Sequence, residues 1–388
     1  MKALSMRAAV LALVAMAAGW AVAQDEPSGA VREISAPTRP LPEESASAGV
    51  ARFSFIAYGD TRGRQDGVGL QYEHSRVLDS MIGTVTRLEG SAFPVRFVLQ
   101  SGDAVVDGRD ATHWNRSFVD LVNRITAGAG LPYFLAPGNH DVTSAADLGS
   151  PRRQAGLQNY LAAMARLIPP TGASRRLDGY PTYAFGYGNT FVLAIDSNIA
   201  GDATQFEWVR SQLEGLDRKR YVHVIVFFHH PLFSSGPHGG STLEPPTAAL
   251  RARYGPLFRQ HRVRMTIAGH DHLYEHWVER YQDASGTPQR TDHVVTGGGG
   301  APLYGYEGEP GLGDYLAAGA ADRTTLEQRA RPAADPAANA YHYVVVTVDG
   351  EAVSLEVVGV DAREPFRPYR SSGVTLSDDP TRGGSPRT

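Results

Sequence analysis

Five stretches of the chain are apolar almost without interruption: Phe53–Tyr58, Val95–Gln100, Pro132–Ala136, Val222–Phe228 and Val263–Ala268. Runs this short and continuous predict strands buried on both faces, not the in-out alternation of a half-exposed sheet. Between them, hydrophobic positions recur at helical spacing and predict helices at about 70–82, 112–124, 152–167, 203–214 and 246–260. Strand and helix patterns in alternation argue for an α/β domain. Two further apolar runs, Tyr343–Val348 and Val353–Val360, are separated by Asp349-Gly350 and predict a late hairpin.

The ends of the chain read differently. Lys2 and Arg7 precede an apolar run from Ala8 to Trp20, and Ala21-Val22-Ala23 fits a small-residue cleavage site. The run is shorter than the ~20 residues a membrane span needs, and Asp25 and Glu26 follow closely. Residues 1–23 are therefore read as a signal peptide, with no membrane anchor, and the product as exported to a periplasm or secreted. Residues 24–50 carry Pro27, Pro37, Pro40 and Pro42 among Ser, Ala and Glu, which predicts a flexible linker. Residues 51–360 form the predicted catalytic domain, and 361–388 a polar tail.

Composition narrows the chemistry. The 388 residues are 42% hydrophobic and 20% charged, as in an ordinary globular protein. A net charge of -4 carries no basic excess, so a nucleic-acid footprint is not indicated. Cysteine is absent, which excludes disulfides and thiolate-bound metal, whereas histidine is plentiful at 13. Oligomeric state is not legible.

Each of the five apolar runs ends in residues able to bind a metal. The first is followed by Gly59-Asp60, the second by Gly102-Asp103, and the third by Gly138-Asn139-His140-Asp141. The fourth leads into His229-His230-Pro231, and the fifth into Gly269-His270-Asp271-His272. In open α/β sheets, sites form beyond the carboxyl ends of the strands. A single aspartate after a strand is ordinarily a helix cap, and a single histidine a satisfied core residue. Five tips in succession point to a shared site.

The stretches Gly102-Asp103-Ala104-Val105-Val106-Asp107-Gly108, Gly138-Asn139-His140-Asp141 and Gly269-His270-Asp271-His272 resemble the signatures of the calcineurin-like metallophosphoesterase superfamily, which includes the purple acid phosphatases. Val226–Leu232 and Val295–Gly300 are similar to it as well, and the resemblance runs from about 52 to 300. It implies a four-layer α-β-β-α sandwich of two mixed β-sheets, with two metal ions (Mn, Fe or Zn) at the strand tips. Carried over position by position, Asp60 and His272 bind the first metal, Asp103 bridges, and Asn139, His229 and His270 bind the second. It further implies hydrolysis of a small-molecule phosphomono- or diester by metal-bound hydroxide. His140 would protonate or stabilise the leaving group, with Asp141 fixing its tautomer. His230 is a weaker ligand candidate than His229, because adjacent strand residues face opposite ways. His238, on a loop, is a candidate substrate contact. The remaining histidines, His113, His223, His261, His276, His293 and His342, are read as structural or surface.

One position departs from the pattern. Most relatives place a histidine two residues after the first aspartate, where this chain has Arg62. Purple acid phosphatases use a tyrosine three residues after the bridging aspartate, where this chain has Val106. Two solutions stay open: His74, early in the helix after the first strand, completes the first metal, or that metal is held by Asp60, Asp103, His272 and water while Arg62 grips the substrate phosphate. A third alternative is a catalytically weak or inactive metal- or phosphate-binding module on the same fold. The substrate itself is not readable.

Overall fold

The computed structural model describes residues 29–361 other than 64, 145–146 and 240–242, and the backbone of Arg367–Leu376. The expected signal peptide at 1–23 lies outside the described residues.

Thirteen strands form two mixed sheets. The first sheet holds β1 (Arg52–Tyr58), β2 (Val95–Gln100) and β3 (Tyr133–Leu135) in parallel. The second contains β4 (Tyr183–Tyr187), β5 (Thr190–Ala194), β6 (His223–Phe227), β7 (Met265–Ala268), β8 (Tyr274–Gln282), β9 (Pro288–Thr296) and β10 (Thr325–Ala330). Its order is β10-β8-β9-β7-β6-β5-β4, parallel from β5 through β9 and antiparallel at both edges. The chain then returns to the first sheet as β11 (Tyr341–Asp349), β12 (Ala352–Asp361) and β13 (Arg367–Leu376), all antiparallel. The expected hairpin is β11–β12.

The continuity of the apolar runs has a direct cause. Along β6, Ile225 and Phe227 join the core between the sheets, while Val224, Val226 and Phe228 pack under the outer helices with Val209, Leu213, Tyr254 and Phe258. Phe53, Phe97 and Phe134 of the first sheet meet Tyr187 and Phe185 of the second; the Phe134 and Phe185 rings stack at 3.9 Å between centroids. Outside the first sheet, the helix Tyr72–Leu88 buries His74, Val77, Leu78, Met81 and Val85, one stripe at helical spacing. Helices Tyr72–Leu88, Pro151–Ala163 and Ala203–Glu214 lie close to expectation, and His113–Val119 opens a helical stretch that runs to Gly128, mostly in the wider π form. The result is the four-layer α-β-β-α sandwich.

Both ends differ from expectation. Residues 29–50 are not a loose linker. Ile34 is fully buried in the main core, with Val31 nearby, and backbone amides of Ile34, Thr38 and Arg39 donate to the carbonyls of Ala163, Thr126 and Gly130 at 2.9, 3.3 and 2.9 Å. Glu44 accepts from Tyr221 Oη at 2.8 Å and pairs with Arg175 at 3.1 Å. The proline-rich composition obscured this because two apolar residues and a series of main-chain bonds to helix ends are enough to seat a strap. Ile34→Ala is expected to cost about 2–5 kcal/mol of stability, measured by denaturant unfolding. At the other end, part of the expected polar tail is β13, which extends the first sheet at the β12 edge.

Candidate metal centre

The turns beyond β1, β2, β3, β6 and β7 meet at one edge of the sandwich. Backbone bonds stitch them together: Asp60 N donates to Gly102 O at 2.9 Å, Thr61 N to Asp103 O at 3.0 Å and Gly269 N to His229 O at 3.0 Å. Asp60, Asp103 and His270 all have positive φ, at 59°, 54° and 69°. Side-chain-bearing residues hold that conformation at a cost of order 1 kcal/mol each, so it persists only where the surroundings impose it. The glycine before the last of these has a steric reason. A Cβ on Gly269 would lie 2.1 Å from Asp60 Oδ2, so the carboxylate packs directly on the glycine backbone.

Two groups of donors converge. His229 Nδ1 donates to Ser101 O at 3.0 Å, which leaves Nε2 with its lone pair. That nitrogen lies 2.9 Å from Asn139 Oδ1, 3.0 Å from His270 Nδ1 and 3.3 Å from Asp103 Oδ1. His270 Nε2 faces Glu244 Oε2 at 2.9 Å, so the proton belongs there and Nδ1 also carries a lone pair. With both rings neutral, the lone pairs around His229 Nε2 face one another. Such an arrangement suits a cation, and its oxygen and imidazole donors suit Mn, Fe or Zn.

The second group lies alongside. His272 Nδ1 donates to Pro302 O at 2.7 Å and presents Nε2 at 3.5 Å from Asp60 Oδ1. Burial pushes both His229 and His272 down to about 3, which keeps them in the neutral form that ligates. Burial, then the neighbouring Asp103 charge, raises the Asp60 carboxyl well above its usual range. Asp103, despite its own burial, is held low, with the Arg62 guanidinium 3.4 Å away. Two carboxylates enclosed this closely need positive charge, and Asp60, Asp103 and His229 offer ligand atoms within 4.8 Å of one another.

His140 sits at the rim, with its side chain about one-third exposed and Nε2 3.9 Å from Asp103 Oδ2. The expected bond from Asp141 to its ring is not made. His140 Nδ1 donates instead to Val106 O at 2.7 Å. Asp141 is buried and accepts from the amides of Ala104, Val105 and Gly138 at 2.9, 3.1 and 2.9 Å. Burial and the Asp103 charge still push its carboxyl up to about 8. A carboxylate directly after the histidine points back into its own loop, so it shapes the turn and does not orient the ring.

His74 does not reach the tips. Its ring is buried under the first sheet, with Nε2 3.1 Å from Tyr58 Oη and the ring facing Phe118 at 6.3 Å. Burial, then Arg124, lowers it to about 3, as suits a neutral core histidine. Arg62 does reach them: Nε lies 3.4 Å from Asp103 Oδ2 without meeting hydrogen-bond geometry. His230 bonds Ser197 Oγ through Nδ1 at 2.9 Å, its ring lies 4.4 Å from that of His270, and its ligand atom lies within 4.8 Å of those of Glu244 and His270. His238 stands over the site, 4.3 Å from the His270 ring between centroids and 2.9 Å from Glu244 Oε1. The other histidines serve the framework: His276 bonds Asp292 at 2.7 Å and His293 bonds Glu279 at 3.1 Å on the second sheet.

Four further residues support the site. Ser197 accepts from the amides of His229 and His230 at 3.2 and 3.0 Å, and Asn198 Nδ2 donates to Gly138 O at 3.2 Å. Their signal was present, since Phe191–Ile195 is one more apolar run ending in Asp196-Ser197-Asn198. Tyr304 stacks on His272 at 4.1 Å, and Glu244 gathers three imidazoles; both sit on loops without a pattern. A cleft of about 940 Å³ opens beside Asn139, His230, His238 and His270 and extends to Arg152 and Asp202.

Fold and site together define a class. Residues 58–274, more than half of the chain, match the calcineurin-like phosphoesterase family, and the chain belongs to it. It is 26% identical over 239 residues to purple acid phosphatase 1 of Ipomoea batatas, covering 60% of this chain and 48% of that protein. It is also 26% identical over 146 residues to Fe(3+)-Zn(2+) purple acid phosphatase 12 of Arabidopsis thaliana, covering 37% of this chain and 29% of that one. The chain thus spans half or less of the length of these relatives. Among solved structures, purple acid phosphatase PPD1 from yellow lupin seeds superposes with a TM-score of 0.58 at 18% identity, covering 85% of this chain and 54% of that one. PhoD superposes with a TM-score of 0.54 at 12% identity, covering 90% and 73%. These two share the fold.

Proposed function

We propose that the protein is a metal-dependent phosphoesterase that hydrolyses a small-molecule phosphomono- or diester with two bound metal ions. The observation that carries this is the convergence of Asn139 Oδ1, His270 Nδ1 and Asp103 Oδ1 on His229 Nε2, at 2.9, 3.0 and 3.3 Å. In this reading Asp60, Asp103 and His272 hold one ion, and Asp103, Asn139, His229 and His270 the other. When bound, the ions supply the positive charge that phosphoryl transfer to water requires. The neighbouring phosphatases, one of them named for Fe(3+) and Zn(2+), support the choice among Mn, Fe and Zn.

The chain's own residues do the rest. Val106 O holds the Nδ1–H of His140, which leaves Nε2 to give a proton to the departing oxygen. Arg62 presents a planar guanidinium fork suited to phosphate oxygens beside Asp103. Asn139→Ala removes a donor without adding charge, and is expected to abolish Mn-dependent hydrolysis of 4-nitrophenyl phosphate; activity within tenfold of wild type would overturn the assignment.

Arg62 favours a second reading, in which the first ion is held weakly and the chain acts as a binding module. Metal-dependent hydrolysis of 4-nitrophenyl phosphate separates the two, and Arg62→Ala tests the role of the guanidinium. On the catalytic reading KM rises roughly tenfold to a hundredfold, as for a lost charge-assisted contact, with the metal content of the desalted protein unchanged. Altered metal content instead would assign Arg62 to the ion site. The apolar segment before Ala23 supports export to a periplasm or secretion, and among the described residues no helix is long and apolar enough to cross a membrane.

A further inference from the structure

We infer that Glu244 is a positioning residue that holds the proton of His270 on Nε2 and so leaves Nδ1 bare for the metal. This rests on the proposed metal site and adds a residue to it. An imidazole binds a metal through one bare nitrogen, and the proton on the other is placed by whatever accepts it. His229 and His272 use main-chain carbonyls, Ser101 O and Pro302 O, for that purpose. Both therefore keep the proton on Nδ1 and present Nε2. His270 is the opposite case: its Nδ1 lies 3.0 Å from His229 Nε2, and its Nε2 lies 2.9 Å from Glu244 Oε2.

The inversion follows from the backbone. His270 has φ +69°, with its amide held by both oxygens of Asp60 at 3.1 and 3.0 Å. This places the near nitrogen of its ring, Nδ1, toward His229. The far nitrogen looks into the cleft, where no main-chain carbonyl is in bonding range among the described residues. Without Glu244, the proton is free to move to Nδ1 and close the ligand position. The carboxylate is itself fixed, because its other oxygen takes His238 Nδ1 at 2.9 Å. It is half-buried at the start of the short helix Pro245–Ala249, which anchors it to the cleft wall.

The test is Mn binding by the wild type, Glu244→Ala and Glu244→Gln, measured by titration calorimetry and by elemental analysis after desalting. Removing an outer partner of a ligating histidine typically weakens metal binding 10–100-fold. Glu244→Ala should therefore lose that much affinity at one of the two ions and desalt to about one ion per chain. Its metal-free unfolding midpoint should stay at the wild-type value, which a general structural defect would not allow. Glu244→Gln keeps an oxygen acceptor for Nε2–H and should recover most of the affinity. Wild-type Mn affinity in Glu244→Ala overturns the assignment, and so does a Gln variant no better than Ala. A wild type that retains no Mn overturns the metal reading itself, and this assignment with it.

Discussion

Asp103→Asn is expected to lower hydrolysis by about three orders of magnitude or more while leaving the metal-free protein close to the wild type in heat stability. Asp103 lies between the two donor groups, within 4.8 Å of ligand atoms of both Asp60 and His229. Its Oδ1 is 3.3 Å from His229 Nε2, and its charge is the main neighbour raising Asp60. A thousandfold loss corresponds to ~4 kcal/mol of transition-state stabilisation, the several kcal/mol expected of metal charge at a phosphoryl centre. The stability half of the prediction comes from the same residue. Asparagine still accepts from His140 N, as Asp103 Oδ1 now does at 3.0 Å; it relieves Asp60 of a neighbouring charge but gives up the pairing with Arg62 at 3.4 Å, so the two changes oppose each other. Activity above one-tenth of wild type, or a large fall in the metal-free midpoint, would contradict this account of Asp103.

His140→Ala is expected to act in proportion to the leaving group. A general acid typically contributes 10²–10⁴-fold when the departing oxygen needs a proton, and little when the anion is stable by itself. An alkyl phosphate should therefore lose at least roughly a hundredfold, and 4-nitrophenyl phosphate less than tenfold. The geometry that supports this is specific. Nδ1 is occupied by Val106 O at 2.7 Å, and the ring is exposed enough to meet a substrate. Equal losses on both substrates would show that His140 orders the loop and does not move a proton.

The sequence made the sheets and the placement of the candidate donors at the strand tips legible for one physical reason. Strands buried on both faces must be apolar throughout, so the first polar residue after each run marks the strand's end. In a parallel arrangement those ends lie together. Asp60, Asp103, Asn139, His229 and His270 all follow from that rule, and Ser197 and Asn198 would have followed had the run Phe191–Ile195 been counted. What the sequence hid was side-chain direction. His74 is close to the tips in sequence and in its backbone: a Cβ on Gly300 would lie 3.0 Å from its amide nitrogen. Its ring nevertheless points to Tyr58, because that face of the helix packs on the sheet. Asp141 was assigned to His140 by adjacency, whereas the turn directs its carboxylate to three amides. Glu244 and Tyr304 reach the site from distant loops, and no local periodicity marks such residues. The strap at 29–50 was misread because linker composition says what cannot form a core alone, not what can lie on one.

The central claim is that bound metal is required for phosphoester hydrolysis. Its most direct test is hydrolysis of 4-nitrophenyl phosphate by chelator-stripped protein titrated with Mn, with metal per chain counted in parallel. The account predicts no turnover in the stripped protein and saturable recovery as occupancy approaches two ions per chain. Turnover that survives chelation, or two ions bound with no turnover of either mono- or diester probes, would contradict it.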